Sequence, residues 1–181
     1  MTTHRDRPTV TARRIITAAL AAVIVVLCAC GGDDADRNGA VVGGTRTTLP
    51  DLTLEPLVAG DAALDLGSLR GPAVVNLWAT WCGPCRRELP AFQEVSTSYP
   101  DVRFIGVDIG EDTGAARAYL DELGVSFEQF ADSDAALTDA IGAASLPVTL
   151  VVAPDGSIAT EHLGPMSLDQ LADAISELSA G

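Results

Sequence analysis

Apolar and polar positions change rhythm several times along the chain, and each rhythm predicts an element. Ile15 to Ala29 is almost wholly apolar behind a polar, basic start. Over residues 31–50, Gly, Asp, Thr and Asn crowd out large apolar side chains. Leu52–Val58 and Ala63–Leu66 then read as short strands joined through Ala59-Gly60-Asp61. Ala73–Ala79, behind Gly71 and Pro72, is mostly apolar, as a buried central strand is. From Gly83 to about Ser98, Leu89, Phe92, Val95 and Tyr99 recur near helical spacing. Val102–Val107 is a second buried strand, Asp112–Leu123 a helix closed by Gly124, and Phe127–Phe130 a short strand. Ser133–Ile141 predicts a helix with Ser133 as N-cap and Gly142 beyond it. Val148–Ala153 and Ser157–His162 flank Pro154-Asp155-Gly156, a hairpin turn signal. Ser167 caps a last helix with Leu168, Leu171, Ile175 and Leu178 on one face.

Strands alternating with helices imply an α/β fold with parallel neighbours, and the closing hairpin makes the central sheet mixed. The domain is expected over residues 51–181, behind a flexible tether at 30–50.

The start of the chain reads as an address. The fifteen-residue run Ile15–Ala29 is short for a membrane span, which needs about 20, and suits a signal peptide over residues 1–29. The run ends Leu27-Cys28-Ala29-Cys30, which resembles a bacterial lipobox and places lipid on Cys30. Cys28 fits less well, because the bulky Leu27 would sit just before it. An uncleaved anchor or a plain secretory signal is the alternative. Arg13-Arg14 also raises twin-arginine export, although its flanking residues match that motif weakly.

Charge narrows the partners. All eleven basic residues are Arg, against 25 Asp and Glu, for a net charge of −14. Removing residues 1–29 takes four Arg and one Asp and leaves −17. Such a surface repels phosphate backbones and anionic headgroups. Nucleic acid is excluded as an expected partner, and the membrane tie is expected through lipid alone.

Four cysteines are present. Cleavage removes Cys28 and lipid consumes Cys30, so Cys82 and Cys85 remain, spaced C-x-x-C. One pair makes no disulfide framework and points to chemistry. A closed zinc site needs four ligands, and the only histidines are His4 and His162. Cys82 falls where a strand hands over to a helix, so unpaired N–H groups and the helix dipole favour a thiolate there. Cys85, one turn on, can resolve a mixed disulfide. Pro84 in the first turn costs no helix bond.

The run Val75-Asn76-Leu77-Trp78-Ala79-Thr80-Trp81-Cys82-Gly83-Pro84-Cys85-Arg86-Arg87-Glu88-Leu89-Pro90 resembles the active-site segment of the thioredoxin superfamily, in particular its TlpA/ResA-like extracytoplasmic thiol–disulfide oxidoreductases. Ser145–Gly156 is typical of them too, and the likeness runs from about Leu52 to the C-terminus. It implies a thioredoxin fold with an N-terminal strand extension and an αβ element inserted over Ile109–Asp132. It implies that Pro147 is the cis-proline facing the cysteines, with Leu146 offering its backbone to an extended substrate. Pro90 would kink the first helix. Trp81, Gly83 and Pro84 would border the substrate, and Trp78 would be core. Glu88 would be a semi-buried acid serving Cys85, since Asn76, which cannot titrate, stands where cytoplasmic thioredoxins carry a buried Asp. No cofactor is implied beyond the Cys82–Cys85 disulfide.

The expected function is reduction of disulfides in exported proteins, for example in cytochrome c maturation, with apocytochrome c thiols as a candidate substrate and a membrane electron donor for recycling. The alternative is an extracytoplasmic oxidant that forms disulfides and recycles through a membrane acceptor. More distant are a metallochaperone or haem chaperone and a peroxiredoxin. Peroxiredoxins need T-x-x-C, whereas Thr80 gives T-x-C.

Overall fold

The structure, a computed structural model, describes residues 40–41, 47–110 and 112–178. The expected leader and Cys30 lie outside the described residues. Among the described residues, no helix is long and apolar enough to cross a membrane.

The core of the fold is β4 (Ala73–Trp78), every residue of which is buried. It pairs in parallel with β5 (Arg103–Asp108) and antiparallel with β7 (Val148–Val152). β6 (Glu128–Ala131) continues the parallel side, and β8 (Ile158–Leu163) forms the predicted hairpin with β7. The edges are β1 (Ala40–Val41) beside β8, and β2 (Thr53–Pro56) with β3 (Leu64–Asp65) beside β6. The order is therefore β1-β8-β7-β4-β5-β6-β2-β3, a mixed sheet of eight strands.

Strand alternation divides the core into layers. Ala73, Val75, Leu77, Ile105, Val107, Leu150 and Val152 pack on one face with Leu137 and Ile141 of α3 (Ala136–Ile141). Val74 and Phe104 point the other way, toward α1 (Gly83–Ser98) and α4 (Leu168–Leu178), where Phe92, Val95, Leu171 and Ile175 meet them. Trp78 extends that face to Ala116 and Leu120 of α2 (Thr113–Leu123). Its ring stacks on Tyr119, with centroids 5.6 Å apart, and its Nε1–H donates to Gln129 Oε1 at 3.0 Å. Gly106 makes room for that amide. A Cβ there would lie 2.1 Å from Gln129 Oε1.

The expected insertion is present as α2 and β6. Pro90 lies inside α1, where its ring removes one backbone donor. Ser167 caps α4 as predicted. Its Oγ accepts from Gln170 N–H while Gln170 Oε1 accepts from Ser167 N–H, a reciprocal capping box.

Three expectations need correction. Ser133 does not cap α3. The helix starts later, and Asp132 receives Leu137 N–H, Thr138 N–H and Thr138 Oγ–H at 2.7–2.9 Å. Leu168, the first residue of α4, is exposed, while Leu171 and Ile175 are buried. Part of the stretch read as a tether is structured. Ala40–Val41 forms a strand, Ile158 N–H donates to Thr47 O, and Leu49 is buried.

Asp132 is 2% exposed, and its carboxylate takes all three of those bonds. Asp132→Ala is expected to cost about 2 kcal/mol in urea unfolding, the scale of a lost charged cap. A loss within experimental error would mean that other groups satisfy the start of α3.

Candidate functional site

The apolar register of β4 carries the chain to Trp78 at the C-terminal end of the parallel strands, and a short turn then opens α1. Cys82 N–H donates to Ala79 O across that turn. Cys82 is the N-cap, in extended conformation, with Pro84 in the first turn. Cys85 N–H donates to Cys82 Sγ at 3.2 Å. That bond, with the dipole of α1 behind it, favours negative charge on Cys82 once the pair is reduced. In the structure the two sulfurs are joined as a disulfide, with Cα atoms 5.3 Å apart. Both cysteines are buried, while Trp81 beside them is 71% exposed. Gly83 is exposed and Pro84 half-buried, so Trp81, Gly83 and Pro84 form the open rim of the pair.

Leu146-Pro147 is joined by a cis peptide bond. Leu146 packs against the cluster that holds Cys82 and Cys85, so this segment borders the pair from β7. The β4–β7 ladder ends at Leu77–Val148, which leaves Leu146 beyond it.

Glu88 lies beneath the cysteines on the inner face of α1, 3% exposed. Its Oε1 accepts Met166 N–H at 2.9 Å, and its Oε2 has no partner. Burial pushes its carboxyl up to about 7, against the pull of the Met166 N–H and the Asn76 amide. Asn76 Nδ2 donates to Thr149 Oγ1 at 3.1 Å, and Asn76 Oδ1 is unpartnered. A proton on Glu88 would add a donor to a pocket in which Glu88 Oε2 and Asn76 Oδ1 are both unpartnered acceptors. The site thus holds a disulfide above a carboxyl poised to exchange a proton near neutral pH.

Some site residues were not singled out from sequence. Asp108 ends β5, opposite Trp78, and is fully buried with one oxygen unpartnered. Burial holds its carboxyl above the ordinary range, partly offset by Gly110 N–H at 3.1 Å. It lines a cleft of about 250 Å³ with Thr80, Trp81, Ile109, Gly110 and Asp112. An acid closing the apolar run Phe104–Val107 was the available signal. His162, Thr149 and Met166 had none, because their part depends on strand register. Among the described residues, no group of three or more His, Cys, Asp and Glu side chains is arranged to hold a metal.

Comparison with known proteins fits this geometry. Residues 45–177 match the Redoxin family. The chain is 28% identical to thiol-disulfide oxidoreductase ResA of Bacillus subtilis, over 88% of this chain and 90% of that protein. It is 34% identical to the thiol:disulfide interchange protein DsbE homolog of Paracoccus denitrificans, over 74% and 73%. Among solved structures, MTB DsbF in its mixed oxidised and reduced forms superposes with a TM-score of 0.66 at 30% identity, covering 72% of this chain and 99% of that one. A secreted Mycobacterium tuberculosis disulfide oxidoreductase homologous to E. coli DsbE gives 0.63 at 25%, covering 70% and 96%. With a strand-to-helix C-x-x-C pair on a thioredoxin fold and a family match over most of its length, the chain belongs to the redoxin family as a ResA/DsbE-like thiol–disulfide oxidoreductase.

Proposed function

We propose that this oxidoreductase works outside the cytoplasm and reduces disulfides in exported proteins, apocytochrome c among the candidate substrates. The observation that carries the reading is the buried Glu88 carboxyl beneath a Cys82–Cys85 pair at a helix N-terminus. Cys82 thiolate attacks a substrate disulfide, forms a mixed disulfide and releases one substrate thiolate. Glu88 takes the proton of Cys85, whose thiolate attacks Cys82 Sγ and releases the second. The substrate gains two electrons and two protons, the second proton returning through Glu88 or water. Pro147 and Leu146 hold the substrate backbone beside the pair, with Trp81, Gly83 and Pro84 on the other rim. A membrane donor then supplies electrons to reopen the disulfide. The names of the relatives, one of them secreted, support an extracytoplasmic setting.

One observation favours the oxidant reading. Cys85 N–H on Cys82 Sγ stabilises the reduced thiolate, which raises the potential. A negative Glu88 beneath the pair opposes it. The equilibrium reduction potential decides between them. A value near or below about −230 mV is expected for the reductase, and one near about −120 mV would make the protein a disulfide-forming oxidant.

Glu88→Gln keeps the acceptor for Met166 and loses the titration. Resolution of the mixed disulfide is expected to slow about tenfold or more near neutral pH, with its pH dependence flattened. Stability supplies a second readout. The folded-state carboxyl is raised, so wild type is penalised as pH rises from the unfolded value of 4.5 through about 7. The variant therefore gains on wild type across that window, by on the order of 3 kcal/mol at its upper end, and gains nothing below it. Equal exchange rates at all pH values would remove Glu88 from the mechanism.

Lipid on Cys30 is part of the same proposal. Cys30→Ser is expected to move the protein from the membrane fraction to the soluble one and to abolish palmitate labelling; unchanged labelling would rule out Cys30 as its site.

A further inference from the structure

The acid beneath the cysteines is linked through a single peptide group to a second titratable residue, on β8. His162 stands in β8 opposite Thr149, which stands opposite Asn76. The three side chains therefore share one face of the sheet, the face covered by α1 and α4. His162 is 2% exposed, and its Nε2 lies 3.3 Å from Pro165 O. A carbonyl oxygen only accepts, so a hydrogen bond here requires the proton on Nε2. The next atom pair along the backbone is Met166 N–H, which donates to Glu88 Oε1. Pro165 C=O and Met166 N–H are the two ends of one planar peptide group.

We propose that His162 is a positioning residue for Glu88, acting through the Pro165–Met166 peptide group. Donation to the carbonyl end fixes the plane and polarises it, which strengthens the N–H end as a donor to the carboxylate. His162 thereby sets the ionisation of Glu88 without touching it. The role rests on Glu88 being the acid–base group of the exchange, but the link itself is a property of the resting protein.

The surroundings isolate the pair. On α1, Arg86, Arg87 and Glu94 are exposed, as are Asp169, Asp173 and Glu177 on α4. Glu161 on β8 alternates to the other face. On β4 and β7 the facing groups are the neutral Asn76 and Thr149. Cys82 and Cys85 do not titrate while joined.

The test is a carboxyl and imidazole NMR titration of the oxidised full chain, a readout independent of catalysis. In wild type, the His162 ring should carry a proton on Nε2, and the Met166 amide shift should follow the Glu88 carboxyl through its transition. A ring protonated only on Nδ1 would overturn the proposal with no variant needed. In His162→Leu the Glu88 midpoint should rise by about half a pH unit or more, the scale of one hydrogen bond. His162→Gln, whose amide offers the same donor, should restore most of the shift. An unmoved midpoint in folded His162→Leu, or a Gln variant that behaves like Leu, would refute the link. Failure of the Glu88 mechanism would appear separately, as unchanged exchange rates in Glu88→Gln.

Discussion

The structure depends on the burial of β4 on both faces. A strand flanked by β5 and β7 and covered by helices is costly to make polar, and five of its six residues are Ala, Val, Leu or Trp. Its length fixes where the chain leaves the sheet. The turn after Trp78 then has to open a helix directly over the strand ends, with Cys82 as the residue whose side chain meets the free N–H groups. The redox pair is reactive because of that hand-over, and the same packing buries Cys85 beneath it.

The sixth residue, Asn76, starts a polar row across an otherwise apolar layer. Asn76, Thr149 and His162 lie side by side on three strands, with Glu88 above them. Buried polar groups cost about 1–3 kcal/mol each when unpaired. Here Asn76 Nδ2, Glu88 Oε1 and the His162 ring each find a partner, while Asn76 Oδ1 and Glu88 Oε2 do not. The two unpartnered atoms are both acceptors, and a proton on Glu88 is what such a pocket stabilises. A raised carboxyl and two orphaned oxygens are thus one fact seen twice.

Much of this was legible in the chain. The apolar run Ala73–Ala79, the helical spacing from Leu89 to Val95 and the C-x-x-C junction located the site, because each is a local pattern with a local cause. Glu88 was visible as an acid one turn past Cys85, although its near-complete burial was not. The misread cap shows the limit. Ser133 has the right chemistry, but Asp132 stands at the end of a buried strand and reaches α3 with both oxygens. Met166 acts through a backbone N–H that any residue but Pro could offer, so no side chain advertised it. His162 looked like the last residue of a hairpin strand. Its meaning came only when the chain after β8 turned back and set the Pro165 carbonyl against it.

The direction of electron flow follows from the balance of two fields on one pair of sulfurs. The start of α1 and the Cys85 N–H stabilise thiolate on Cys82 and so favour the reduced state. A charged Glu88 below destabilises it, and each 30 mV of potential corresponds to only about 1.4 kcal/mol. Because the carboxyl titrates near 7, the second field switches on across the neutral range rather than standing fixed. The potential of this pair should therefore fall faster with rising pH than proton uptake by the thiols alone dictates, through the range in which Glu88 loses its proton. A buried acid of ordinary pKa would give no such extra slope, so a steeper fall of the potential with pH is the signature expected of Glu88 in this position.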